Sequence, residues 1–228
     1  MSALIFSLPG GDRLPIVPEL ALAAGFTGRD QAAVKAHIAE LEAQGIPPPP
    51  AVPVLFPLLP PLLTQAAQVP VIGPHTTPEV EPVLLFSGRG VFLTVGSDHT
   101  DRALEAHHVT LSKNVCPKPL ASEAWPVEAV LDRWDGLVLE ARTPKGTVQK
   151  GRLAELVPYP ALLRLARRAI PEGQSGVFFC GTIPAQAPWP AFPAPVTLRL
   201  ADPESGRSIV HRYTPRPLPE RYEAGPAR

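Results

Sequence analysis

Between Pro47 and Val71 the most apolar stretch of the chain is broken by Pro47, Pro48, Pro49, Pro50, Pro53, Pro57, Pro60, Pro61 and Pro70. Proline lacks the backbone N–H and has a fixed φ, so this stretch can form neither a long helix nor a fully paired inner strand. A membrane span needs about 18 or more uninterrupted apolar residues, and no such run occurs anywhere in the sequence. The prolines, 32 in all, are interleaved with Val, Leu, Ile and Phe, which points to a loop-rich globular fold and away from disorder.

A length of 228 residues suits one sizeable domain, or a core domain with a smaller lobe, whose core needs no disulfide support. Lys+Arg and Asp+Glu balance at 21 each, which removes the electrostatic case for nucleic acid or an anionic membrane as partner. The two cysteines, Cys116 and Cys180, form no CxxC pair, so neither a disulfide framework nor a cysteine zinc site is expected, and a reducing cytoplasm is the expected compartment. The start, MSALIFSLPGGDR, has no basic region before its short apolar run and reads as a first strand ending in a Gly-Gly turn, not as an export signal.

Residues Asp30 to Gln44 read as a helix ended by Gly45, with Val34, Ile38 and Leu41 on one face. His37 lies on that face with Glu40 one turn on, and by spacing alone a partly buried histidine beside an exposed glutamate is the plainer reading. From Glu79 the pattern becomes short strands: EVEPVLLF and GVFLTVGSD around SGRG, LVLEAR and TVQK around Pro144-Lys145-Gly146, then Gly176 to Gly181, Val196 to Leu200 and Ser208 to Tyr213, with a helix over Pro160 to Ala169. Pro82 is expected to push its strand to an edge or a bulge. The reading is therefore an α+β, β-rich chain: 1–72 as N-terminal strand, helix and proline-rich segment, 73–215 as core, and 216–228 as a flexible tail.

Glu79 and Glu81 are two apart, so on a strand their carboxylates share a face. Such a pair is tolerable in water, as a dyad sharing a proton, or around a cation, and a hard divalent ion takes oxygen ligands of this kind. Asp98 follows in the run Asp-His-Thr-Asp-Arg.

In order, Glu-x-Glu, the Ser-Asp-x-Thr-x-Arg run ending at Arg102, Ser112-Lys113, Gln149-Lys150-Gly151 and VFFCGTIPA resemble the motifs of the fumarylacetoacetate hydrolase superfamily. GFTGRDQAAVKAHIAE and PAVPVLFPLLPPLL resemble its upstream segments, so the likeness spans roughly residues 25–215. Within it, the shared GSDHTDR and CPKP resemble a bacterial offshoot of unassigned function.

The resemblance implies a distorted β-roll or barrel-like sheet with a few covering helices, a metal in its mouth, and a homodimer. It also implies Glu79, Glu81 and Asp98 as ligands of Mg²⁺ (or Mn²⁺ or Ca²⁺), Lys113 beside the metal, and His37 and Glu40 as a water-activating dyad on a lid helix. Arg29, Arg102 and Thr182 are then expected to bind a small carboxylate substrate. The implied activity is metal-dependent hydrolysis of a C–C bond in an acylpyruvate-type or other 1,3-dicarbonyl or 2-oxo acid. Alternatives are decarboxylation, hydration or isomerisation of a short 2-oxo dicarboxylate, or a non-catalytic protein that binds small acids. Ser97, His99, Asp101 and Cys116 depart from the superfamily pattern, as does Gln186-Ala187-Pro188-Trp189. Cys116 is expected to be a buried small residue and His107 and His108 to be surface or packing residues.

Overall fold

The structure is a computed structural model that describes residues 3–43, 45–190 and 194–219. Its body is built from a six-stranded and a five-stranded sheet. In spatial order the first contains Trp125–Pro126, Gly90–Ser97, Val80–Ser87, Gly176–Phe179, Leu20–Gly25 and Val54–Leu58. The second contains Gly146–Arg152, Val138–Thr143, Val196–Asp202, Arg207–Leu218 and Gln68–Ile72. Within these two sheets pairing is antiparallel except where Gly176–Phe179 runs parallel to Leu20–Gly25 and Arg207–Leu218 runs parallel to Gln68–Ile72.

The strand Val80–Ser87 reads as a near-continuous apolar run because both of its faces are covered. Leu84 and Phe86 join Leu93, Leu139, Leu198, Leu200 and Tyr213 in the core that both sheets share. Val83 and Leu85 point the other way, against Phe6, Leu14 and Ile16 of the N-terminal hairpin Leu4–Ser7 and Arg13–Ile16. Helix α1 (Gln31–Ala43) buries Val34, and two short helices, α2 (Arg102–Glu105) and α3 (Val109–Asn114), follow Asp98. Helix α4 (Tyr159–Arg167) packs Leu162, Leu165 and Ala166 into the shared core. No helix among the described residues is long and apolar enough to cross a membrane.

Pro82 corrects one expectation, since its strand lies inside the sheet, between Gly90–Ser97 and Gly176–Phe179. It is tolerated there because the ladder to Gly176–Phe179 begins only at Val83. Its carbonyl accepts from Cys180 N–H at 3.1 Å, so its missing N–H faces the side where that ladder has already ended. Segments on both sides of residue 72 share sheets, with Leu20–Gly25 and Val54–Leu58 entering the first and Gln68–Ile72 the second. The last strand runs on to Leu218, so Arg216, Pro217 and Leu218, expected as tail, pair with Pro70, Val71 and Ile72; residues 220–228 lie outside the described residues.

Candidate metal centre and its cleft

The register that pairs Val80 with Ser97 and Glu81 with Gly96 sets the start of one strand beside the end of the other, and Asp98 N–H donates to the Glu79 carbonyl at 3.0 Å. The carboxylates of Glu79, Glu81 and Asp98 are thereby gathered, with oxygens within 4.8 Å of one another. Glu81 and Asp98 are 2% and 1% exposed, so their charges must be met inside the protein.

Three basic side chains meet them. Lys113, on α3, lies 2.6 Å from Asp98 Oδ2 and 3.3 Å from Glu79 Oε2. Arg102 opens α2, whose N-cap is Asp101. Its Nη2 is 2.9 Å from Glu79 Oε1, its Nη1 donates to Glu105 Oε2 at 2.6 Å and its Nε to Thr77 Oγ1 at 2.5 Å. Lys118, wholly buried, lies 2.8 Å from Asp98 Oδ1 and donates to the His99 carbonyl at 2.5 Å.

Burial opposes ionisation of Asp98, but Lys113 and Lys118 outweigh it and pull the carboxyl down to about 2. Burial likewise opposes the charge on Glu79, and Lys113 and Arg102 reverse that and hold it below its ordinary value. Glu81 is pushed well up, first by burial and then by the repulsion of Asp98 and Glu79, although it accepts the Gly181 N–H at 2.7 Å. For Lys113 burial works against the ammonium, and Asp98 and Glu79 overcome it and raise its pKa.

The cluster fits a hard divalent cation. It offers carboxylate oxygens close together, the ligand type a hard divalent ion takes, and Asp98 Oδ1, though 2.8 Å from the Lys118 ammonium, has no hydrogen bond of good geometry among the described residues. Glu79, Glu81 and Asp98 would be the ligands.

Several residues that hold this arrangement were not expected from sequence. Lys118 reaches Asp98 because its segment passes tight against Gly96, where a Cβ would come within 2.9 Å of the Pro119 carbonyl. Gln149 accepts the Val80 N–H at 3.1 Å and donates to Thr182 Oγ1 at 2.9 Å and the Ile183 carbonyl at 2.6 Å, tying the second sheet to the site. The Tyr213 hydroxyl is 3.0 Å from His99 Nδ1 and donates at 3.2 Å to Ser97 Oγ, which accepts the Glu79 N–H at 3.1 Å. Burial pushes the His99 imidazole down to about 3, so it is neutral at pH 7. The apolar setting of a proline-flanked lysine was the available signal for Lys118; Tyr213 gave none, because 134 residues separate it from Glu79.

Glu79, Glu81, Lys113, Arg102, Thr182, Arg29 and His37 line one cleft of about 1440 Å³, roofed by α1 and Pro47–Pro50. Asp98 lies beneath its floor, and Glu40 is outside the lining set. His37 Nδ1 is 3.6 Å from Glu40 Oε2, with the two side chains 61% and 71% exposed. Asp30 caps α1, accepting Ala32 N–H at 2.9 Å and Ala33 N–H at 3.1 Å. Arg29 points its donors elsewhere, to Asp135 at 2.7 and 2.8 Å and to the Leu156 carbonyl at 2.8 Å. Thr182 donates to the Val80 carbonyl at 2.8 Å. Cys116 is buried as expected, its thiol pushed up to about 12 mainly by burial. His107 and His108 are exposed, and His108 accepts the Leu111 N–H to cap α3.

The family model described as Protein of unknown function (DUF2848) matches residues 24–213. No curated protein matches the chain in sequence. A candidate fumarylpyruvate hydrolase from Burkholderia cenocepacia superposes with a TM-score of 0.66 at 16% identity, over 96% of this chain and 97% of that one. A candidate fumarylacetoacetate hydrolase family protein from Yersinia pestis CO92 gives 0.64 at 18% identity, over 92% and 99%. The 5-carboxymethyl-2-hydroxymuconate delta-isomerase of Mycobacterium smegmatis gives 0.61 at 13%, over 97% and 100%.

Proposed function

The chain belongs to the DUF2848 family and carries the fumarylacetoacetate hydrolase fold, and from that premise we propose that it is a metal-dependent enzyme that hydrolyses a C–C bond in an acylpyruvate-type or other 1,3-dicarbonyl 2-oxo acid. The observation that carries this reading is the largely buried Glu79–Glu81–Asp98 cluster with Lys113 at the floor of a cleft lined above by His37, with Glu40 beside it on the same helix. When bound, Mg²⁺ or Mn²⁺ supplies Lewis-acid polarisation of a chelating oxo acid. Lys113, cationic and desolvated, stabilises negative charge that develops on the substrate. His37 takes a proton from water through Nε2, and Glu40, 3.6 Å from Nδ1, orients the ring once the pair closes to hydrogen-bond distance. Arg102 and Arg29 act indirectly: Arg102 holds Glu79 in place, and Arg29 ties the start of α1 to Asp135.

A second reading, isomerisation or decarboxylation on the same floor, is favoured by the exposure of His37 and Glu40, because those reactions need no activated water. One experiment separates the two. Purified protein is treated with EDTA, restored with Mg²⁺ or Mn²⁺, and screened for loss of enol absorbance over acylpyruvates and short 2-oxo acids, with His37→Ala alongside. Metal-restored hydrolysis that His37→Ala abolishes is the expected result. Turnover that survives His37→Ala supports the second reading, and metal-independent turnover or none at all counts against both. Sedimentation of the pure chain tests the proposed homodimer.

A further inference from the structure

The cleft that holds the carboxylate floor is charged at its base and apolar toward its roof. On α1, Val34, Ile38 and Leu41 recur at i, i+4 and i+7, and all line the cleft. Such a stripe ordinarily seats a helix on the core. Here Val34 is buried while Ile38 and Leu41 stay half-exposed, so most of the stripe faces the cleft and not packed protein. Ile46, Phe56 and Trp189 continue this apolar wall from three further segments.

The arginines and the lysine around that wall are already committed. Among the described residues that line the cleft, the arginines and lysine are Arg29, Arg102 and Lys113, and each is held by a carboxylate: Asp135 for Arg29, Glu79 and Glu105 for Arg102, Asp98 and Glu79 for Lys113. Of the three lining imidazoles, His37 faces Glu40, His108 spends Nδ1 on the Leu111 N–H, and His107 is exposed to solvent. The same lining includes Asp30, Glu105 and Glu155, which repel an anion. A second carboxylate at the far end of a substrate would therefore be desolvated against hydrocarbon, with every lining arginine and lysine already paired elsewhere.

We propose that the substrate is a 2-oxo acid whose distal substituent is an alkyl or aryl group, bound against the Ile38–Leu41 face of α1 and Trp189, and that short 2-oxo dicarboxylates are excluded. This rests on the 2-oxo acid reading of the floor and adds the class of the tail. Discrimination comes from burying apolar surface on one side and from an unpaired charge on the other.

The test is calorimetric binding of non-cleavable probes to the intact chain with Mg²⁺ present: pyruvate, 2-oxobutanoate, 2-oxopentanoate and 2-oxohexanoate, with 2-oxoadipate as the dicarboxylate matched in length to the last. Affinity is expected to rise about three- to fourfold per added methylene, and 2-oxoadipate to bind at least about tenfold more weakly than 2-oxohexanoate. Ile38→Lys should flatten the rise and strengthen 2-oxoadipate binding while pyruvate binding stays the same. Trp189→Ala, on a different segment, should flatten it without the charge. Pyruvate binding with no gain along the series, 2-oxoadipate binding as well as 2-oxohexanoate, or an unchanged series in both variants overturns this inference alone. Failure of folded protein to bind any of the probes overturns the 2-oxo acid reading, and this inference with it.

Discussion

The floor and the roof of the cleft are held by opposite means. On the floor, Glu79, Glu81 and Asp98 are fixed by Lys113, Lys118 and Arg102 and by backbone donors, with Glu81, Asp98, Lys113 and Lys118 buried and Arg102 partly exposed. The roof helix α1 buries Val34 and carries a solvent-exposed His37–Glu40 pair. Buried charges interact strongly and tolerate little displacement, whereas an exposed pair costs little to rearrange. The difference suits a site that must keep a fixed geometry at its base and admit a substrate from above.

The contrast can be broken most directly at Lys118. Lys118→Ala removes the cation beside Asp98 Oδ1, leaving only Lys113 on Oδ2, and deprives the His99 carbonyl of its donor; a loss of about 3 kcal/mol in denaturant-unfolding stability is expected. A loss below about 1 kcal/mol would mean the floor relaxes more freely than its burial implies. His37→Ala tests the roof. Stability should stay within about 0.5 kcal/mol, because the residue is exposed, and calorimetric Mg²⁺ affinity should be unchanged, while hydrolysis falls by about a hundredfold or more.

Asp202 lies outside both regions and calibrates the acid limb. Burial opposes its charge, yet Ser205 and Arg133 hold its carboxyl at about 2. A depressed folded-state pKa contributes stability above the unfolded value of about 3.9, and that stability is lost as pH falls through about 4 toward about 2. Asp202→Asn should flatten this part of the stability–pH curve, measured by thermal melts, and leave the curve near pH 7 parallel to that of the parent chain. The smallest effect is expected at Arg29–Asp135, a half-exposed pair. Asp135→Asn should cost no more than about 1 kcal/mol, and less in high salt, as urea titrations at two ionic strengths would show.

Much of this layout was legible in the chain. The helix from Asp30, the strand pair around SGRG and the hairpin around Lys145-Gly146 follow from local period and turn chemistry, and all three are present. The grouping of Glu79 with Glu81 follows from the two-residue strand period. The central place of the Pro82 strand was not legible, because it depends on where a strand almost a hundred residues later stops pairing. The order in Arg216–Leu218 comes from a parallel partner at Pro70–Ile72. Ser97 and Asp101, which look like losses against the superfamily pattern, each hold a hydrogen bond that the fold uses: Ser97 to the Glu79 N–H, Asp101 as the cap of the helix that carries Arg102.

The sequence by itself determined the elements, the absence of a long apolar helix, and the carboxylates that would share a face, because these depend on neighbours within a few residues. Which cation meets which carboxylate was decided by the tertiary structure. Lys118 looks like any charged residue between prolines until the close passage at Gly96 buries it against Asp98. Arg29 and Arg102 look equally available until one is drawn to Asp135 and the other to Glu79. Electrostatic energy depends on distance through space and on the exclusion of water, and neither is fixed by separation along the chain.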